Sequence, residues 1–382
     1  MSAEGRAAYR SLSDALAFQA QILEGVSRTF ALTIPVLPGR LRVSVTNAYL
    51  LCRIADTLED DPDLPAADKR DCAREFTEVL RGARCAGRFA EDTLSRLSRH
   101  TPEDEQALIG GTAEVVRVTQ SLMPAERDAL VRCVTLMSDG MHRFQRGAGL
   151  HGLESLHALD EYCYYVAGVV GEMLTSLFCA YSPAIAARRG RLIELAPSFG
   201  QGLQMTNILK DIWEDRKRGI CWLPRTAFGE SASGRSDLLA GLADQRLEHG
   251  LSQLVVVAHG HLRNALDYTL TIPRRHVGIR RFCLWALGMA VPTLCNIHAR
   301  PRFRSGEEVK ITRADVGRIV RRYGAMAGSN SMLRWRFARD SAALPASDPG
   351  VAAGLEEISR CARADGPDAA DDAPATSSLH AN

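Results

Sequence analysis

Residues 207–215, Asn-Ile-Leu-Lys-Asp-Ile-Trp-Glu-Asp, confine their part of the chain to a helix with two unlike faces. At helical spacing Ile208, Leu209, Ile212 and Trp213 share one side, while Asp211 and Asp215 stand one turn apart on the other. Asn207, Gln204 and Gly200 continue the acidic face backwards as a polar or small stripe. Like charges at i,i+4 destabilise an isolated helix by roughly 0.2–0.5 kcal/mol. Solvent, the neighbouring Lys210 or a bound cation must offset that.

The pattern occurs a second time. Tyr49, Arg53, Asp56 and Asp60 follow i, i+4, i+7, i+11 and share a face, and Glu59 precedes Asp60 as Glu214 precedes Asp215. A single such helix is commonly a solvated surface; two of the same form ask for a shared ligand. Mg²⁺ takes oxygen ligands, keeps several waters, and is held by one or two carboxylates plus substrate phosphates. Opposed acidic helices therefore suit several Mg²⁺ ions clamped against one diphosphate. Asp56, Asp60, Asp211 and Asp215 are the expected ligands, with Glu59 and Glu214 in support and Mn²⁺ as the alternative ion. Such ions neutralise a leaving diphosphate. Departure from an allylic carbon leaves a carbocation, which needs an apolar wall with aromatic faces and no nucleophile.

The rest of the chain bounds this reading. With 382 residues, 46% of them hydrophobic, it can bury a sizeable core, and its net charge of +2 argues against nucleic-acid binding. Ten cysteines contain no C-x-x-C pair, so structural zinc is not expected; free thiols fit a reducing cytosol. The N-terminus lacks an apolar signal core, and the longest apolar run, Cys283 to Cys295, is too short to span a bilayer. Periodicity and breakers predict helices at 12–25, 41–60, 66–86, 88–99, 103–121, 124–146, 155–181, 189–217, 235–271, 274–299 and 312–324. One all-helical domain, 1–342, is expected, followed by a disordered polar tail, 343–382.

Four motifs in order carry a resemblance: Ser27-Arg28-Thr29-Phe30, the acidic helix at Asp56, Tyr162-Cys-Tyr-Tyr-Val166-Ala-Gly168-Val-Val-Gly171, and the acidic helix at Asp211. Together they resemble the squalene/phytoene synthase family of head-to-head prenyl transferases, from about Val26 to Pro224 and more weakly to about Tyr323. The resemblance implies an all-α, isoprenoid-synthase-type bundle around a central cavity, with the two aspartate-rich helices on opposite walls. It implies two prenyl diphosphates, farnesyl or geranylgeranyl, as substrates. Asp56-Thr-Leu-Glu-Asp-Asp61, the late pair Phe282-Cys283 and Val309-Lys310-Ile311 look most like the squalene synthase branch, which also uses NADPH. Phytoene and dehydrosqualene synthases, which perform no reduction, are the alternative, as is an enzyme that stops at presqualene diphosphate. A helical scaffold without turnover is the reading from a different class.

By the same resemblance Ser27, Arg28 and Thr29 form a diphosphate-binding turn, although a helix cap would explain Ser27 or Thr29 alone. Tyr162 handles a proton in the first half-reaction, with Tyr49 as second candidate, and Arg53 caps a diphosphate oxygen unless it is a salt-bridge partner of Asp56. Phe30, Val166, Val170, Phe282 and Cys283 form the hydrocarbon wall unless they are plain core. Gln204, Asn207 and Lys210 extend the second acidic face, and Lys310 and Arg313 are the candidates for the NADPH phosphates. One departure stands out: where the family often has an arginine beyond the flap glycine this chain has Ile220, so Arg218 or Arg216 is expected to substitute. The polar end, Asp371 to Asn382, contrasts with the membrane anchor of eukaryotic members. A cytoplasmic enzyme with a peripheral membrane contact for product release is the expectation.

Overall fold

The computed structural model describes residues 3–145 and 149–346; the expected polar tail lies, from residue 347 on, outside the described residues. Among the described residues all regular structure is helical apart from one isolated bridge between Leu153 and Pro224. Helix α1 (Ala3–Val26) leads through α2 (Arg28–Thr33) and a 3₁₀ turn (Ile34–Val36) into α3 (Gly39–Asp60), which carries the first acidic face. A layer of shorter helices follows: α4 (Ala66–Leu80), α5 (Ala86–Leu94), α6 (Glu103–Gly110) and α7 (Thr112–Ser121). Helix α8 starts at Pro124, where a missing N–H is harmless, and runs to Gln145.

Helix α9 (Leu156–Cys163) passes without interruption through a π-turn, Tyr164–Gly168, into α10 (Val169–Tyr181). After the short α11 (Pro183–Ala186) come α12 (Arg189–Lys210) and α13 (Ile212–Lys217), which hold the second acidic face. The chain closes with α14 (Asp244–Thr271), α15 (Val277–Ala299), α16 (Arg313–Met326) and α17 (Asn330–Asp340). Two buried clusters make up the core, one around Leu51, Phe76 and Phe178, the other around Leu262, Leu294 and Phe303. Phe199 and Val36 pack against both and join them.

Glycines decide how α12 sits. A Cβ on Gly200 would lie 2.0 Å from the carbonyl oxygen of Ala167, and one on Gly171 would lie 2.2 Å from that of Ala196. Backbone therefore touches backbone between α12 and the π-turn with α10, an approach only glycine permits. The π-turn widens the helix at this contact, as such bulges commonly do at functional sites. Against α3, by contrast, α12 makes little direct contact, so the two acidic faces are not closed against each other by helix packing.

The structure corrects the predicted elements in several places. The helix expected over 103–121 divides at Gly111, which has no room for a Cβ beside the ring of Phe18, 2.0 Å away. That over 189–217 breaks at Asp211, yet Asp215 N–H still donates to Asp211 C=O at 2.9 Å, so the one-turn spacing of the two acids survives. The helix expected from 235 begins only at Asp244, because Leu238 N–H is drawn to Leu150 C=O at 2.9 Å. Helix α17 was not predicted: only Leu333 and Phe337 are buried on it, too sparse a stripe among arginines. Two continuous helices, Leu156–Tyr181 and Val277–Ala299, are long and apolar enough to cross a membrane, which a count of unbroken apolar residues does not detect. Over half of each apolar window is buried within the fold, 56% and 61%.

Candidate active site

Helix α3 ends with two adjacent aspartates of opposite character. Asp61 accepts hydrogen bonds from Ser98 N–H (2.8 Å), Thr101 Oγ1 (2.7 Å), and the N–H groups of Asp63 and Leu64 (3.0 Å each). Burial alone would raise its carboxyl, but these donors hold it below the usual range. It is a structural acid that ties α3 to the turn before α6. Asp56 and Asp60 have no hydrogen-bond or ion-pair partner among the described residues. Burial, then the charge of Asp60, pushes Asp56 up to about 7 against the pull of Arg53. Asp60 is exposed at the end of α3, yet partial desolvation of its carboxyl raises it too, with Arg218 pulling it back. Glu59 is pushed up to about 7, first by burial, with Lys69 opposing.

The second acidic face meets the first. Asp215 is buried and raised, first by burial, and both Asp211 and Asp60 push it further while Arg218 holds it down. Arg218 forms an ion pair with Asp215 and also faces Asp60, so one guanidinium stands between the two helices. Arg216 instead pairs with Asp237 at 2.8 Å, in the loop beyond. Of the two candidate arginines, Arg218 is the one that faces both acidic helices. Asn207 is exposed and Gln204 half-buried on the stripe above, and Lys210 pairs with Asp211.

Tyr162 lies between the acids, and its ring stacks on Trp222, centroids 4.1 Å apart and 10° from parallel, with Phe144 edge-on at 5.5 Å. Burial, followed by Cys163 and the charges of Asp60, Asp215 and Asp56, drives its hydroxyl well above the usual tyrosine value. It stays protonated and can donate. Trp222 comes from the loop after α13, which the buried Arg225 organises by donating to Ser231 C=O (2.7 Å), His151 C=O (2.8 Å) and Ser236 C=O (3.0 Å). Val166 and Val170 are half-buried beside the π-turn.

Other expected site residues fall elsewhere. Glu214, expected in support of the metal set, accepts the Gly306 N–H at 3.1 and 3.3 Å and so ties α13 to the turn before α16. The Tyr49 hydroxyl donates to Val26 C=O at 3.1 Å, and its ring lies 4.7 Å from Phe30. Arg53 pairs with Glu105 of α6, not with Asp56, although it remains near both acids. Ser27 caps α2, accepting from Phe30 N–H at 3.1 Å, and Arg28 and Thr29 are exposed beside it. Phe282 and Cys283 are buried, Phe282 edge-on to Phe178 at 6.4 Å. Lys310 is engaged with Glu307 at 2.8 Å, and Arg313 is exposed at the start of α16. Sequence reasoning singled out neither Trp222 nor Phe144, which no helical periodicity links to the acids.

Asp56, half-buried, and Asp60, exposed, have no partner among the described residues, and two such carboxylates one turn apart suit a cation. The donors are all oxygen, which suits Mg²⁺ or Mn²⁺. Among the described residues no three His, Cys, Asp or Glu side chains converge on one point, so ions here would complete their shells with water and substrate phosphate.

The profile described as squalene/phytoene synthase matches residues 23–315. The chain belongs to the squalene/phytoene synthase family. Squalene synthase ERG9 of Gibberella zeae is 28% identical over 299 residues, 77% of this chain and 61% of that one. Squalene synthase 1 of Arabidopsis thaliana is 30% identical over 310 residues, 80% of this chain and 70% of that one. A solved structure of TcSQS with a bound ligand superposes with TM-score 0.68 at 25% identity, covering 91% of this chain and 98% of the other. A dehydrosqualene synthase with a bound ligand shares the fold at TM-score 0.60 and 21% identity, covering 83% and 98%. The chain spans 61–65% of the length of the first curated relatives it matches. In a family member with this site, Trp222→Ala removes one face of the Tyr162 stack. Turnover is expected to fall about tenfold with the melting temperature little changed. Steady-state kinetics beside a thermal melt checks this; unchanged turnover would make the stack mere packing.

Proposed function

We propose that the chain is a Mg²⁺- and NADPH-dependent squalene synthase, joining two farnesyl diphosphates head to head through presqualene diphosphate. The observation that carries this reading is the pair of acidic faces whose charges act on one tyrosine, Tyr162, with Arg218 between them. The names of the curated relatives support squalene as the product. Asp56, Asp60, Asp211 and Asp215 would hold the ions, which supply charge neutralisation for the departing diphosphate. Arg218 takes a phosphate oxygen, and Gln204 and Asn207 line the approach. Arg53, braced by Glu105, stays in reach of the same diphosphate from α3.

The allylic cation left behind meets Val166 and Val170, which offer no nucleophile, and the ring faces of Tyr162 and Trp222. A hydroxyl as weakly acidic as that of Tyr162 is no base on its own. It donates to the diphosphate, whose oxygens take the proton lost as the cyclopropane closes. NADPH, when bound, would supply the hydride of the second half-reaction; Lys310, just after the turn that Glu214 anchors, and Arg313, at the start of α16, are its proposed phosphate contacts. The enzyme is proposed to be cytoplasmic, meeting the membrane peripherally.

Purified protein with farnesyl diphosphate and Mg²⁺ is expected to form squalene only when NADPH is added, with presqualene diphosphate accumulating without it. Product analysis by gas chromatography decides the case. Phytoene or dehydrosqualene as sole product would reject the reading, and presqualene diphosphate in both tubes would reassign the chain to the first step alone.

A further inference from the structure

Helix α17 turns an unusual face to solvent. Of the five exposed large hydrophobic side chains among the described residues, Met332 (49% exposed) and Trp335 (55%) lie three residues apart on it. Leu333 and Phe337 bury the opposite face. The guanidinium groups of Arg336 and Arg339 lie 6.0 and 5.7 Å from the centre of the Trp335 ring system. Helix α16 packs alongside and exposes Arg318, Arg321 and Arg322. From Arg313 to Asp340 there are seven arginines against two aspartates, in a chain whose whole net charge is +2. Arg318, Arg334 and Arg336 pair with acids, whereas Arg321, Arg322 and Arg339 have no ion-pair partner among the described residues.

This face is held rigidly to the body. The fully buried Arg280 donates to Ile272 C=O at 2.8 Å and to Asn330 Oδ1, in the first turn of α17, at 2.7 Å. Arg280 is on α15, the helix that also carries Phe282, so this bond ties the first turn of α17 to the core.

We propose that the exposed face of α17, with the arginines of α16 beside it, docks on an anionic phospholipid bilayer. Tryptophan favours the headgroup level, where its ring is apolar and its N–H wet, and methionine enters the acyl boundary. The unpaired arginines meet lipid phosphates, and arginine stacked on an aromatic ring loses little by doing so. A second copy of the chain fits less well: two of these faces across a twofold axis would bring uncompensated positive charge together around only two apolar side chains each. The inference does not depend on the catalytic reading, although an oil as product would leave most readily through such a contact.

Flotation of the full chain with vesicles tests it without any substrate, so failure here and failure of the proposed reaction are separate. Binding is expected to phosphatidylcholine vesicles containing phosphatidylglycerol, weakening with salt, and little to pure phosphatidylcholine. Met332→Ser with Trp335→Ser should lower the partition coefficient about tenfold or more. Arg321→Glu, Arg322→Glu and Arg339→Glu together should lower it by about fivefold per arginine. Both variants change exposed residues outside the catalytic machinery and should keep wild-type melting temperatures and detergent-phase turnover. No binding by the wild type, equal binding to neutral vesicles, or unchanged binding by both variants would overturn the proposal. So would a wild-type dimer that Trp335→Ser converts to monomer.

Discussion

Replacing Asp56 by asparagine is expected to lower turnover by about 10²–10³-fold and, in the same protein, to raise its melting temperature without metal at pH 8. The two effects have one cause. Folding raises the Asp56 carboxyl from 3.8 to about 7, chiefly by burial and then by the charge of Asp60. An acid whose folded value is raised contributes stability while it is protonated: the contribution is complete below about pH 4 and is lost as pH climbs through 7. Metal-free wild type therefore holds a strained, ionised Asp56 at pH 8, whereas asparagine never ionises. The variant should be more stable there by about 1–3 kcal/mol after allowance for water in the cleft, and equal to wild type at pH 4. Adding Mg²⁺ at pH 8 should stabilise the wild type and do much less for the variant. Melts with and without chelator, beside turnover, check this; a variant that keeps its turnover would remove Asp56 from the site.

Gly200→Ala carries the largest structural penalty. Its new methyl would meet the Ala167 oxygen at 2.0 Å, the Ala167 carbonyl carbon at 2.4 Å and the Gly168 nitrogen at 2.9 Å, all backbone of the π-turn. No side chain can swing aside, so α12 must retreat from α10 and carry Gln204, Asn207 and the second acidic face with it. A loss of about 3 kcal/mol or more is expected, with activity falling further than stability alone explains. Gly190→Ala on the same helix is the control. It is exposed with nothing within 4 Å, and should be neutral or stabilising by up to about 1 kcal/mol. Urea denaturation measures both, and similar midpoints for the two variants would refute the close-packing account.

Much of the site was legible because it is local. The face shared by Tyr49, Arg53, Asp56 and Asp60 depends only on helical spacing, and it is realised on α3. Even the break at Asp211 leaves its one-turn spacing to Asp215 intact. What misled was identical local pattern with different distant partners. Glu59 and Glu214 occupy the same place in their motifs, yet Glu214 accepts from Gly306, 92 residues away, while Glu59 lies near Lys69 of α4 and is raised by burial. Arg53 was expected to choose between diphosphate and Asp56, and found Glu105, 52 residues along. Trp222 sits in a loop whose course is set by Arg225 and by the strip 149–153, neither of which any periodicity reveals.

By itself the sequence determined an all-helical chain with two acidic helix faces of the same design, and through its motifs the family to which those faces belong. Both follow from 3.6-residue periodicity and residue type, which need no knowledge of what lies across the fold. Only the tertiary structure decided which acids remain without partners, that Arg218 and not Arg216 spans the cleft, and that Tyr162 lies against Trp222. Whether a charge is free or satisfied depends on groups brought together from distant parts of the chain. In the paired acidic helices the spacing came from the sequence, and the packing decided that Asp211 and Asp215 are ion-paired while Asp56 and Asp60 are not.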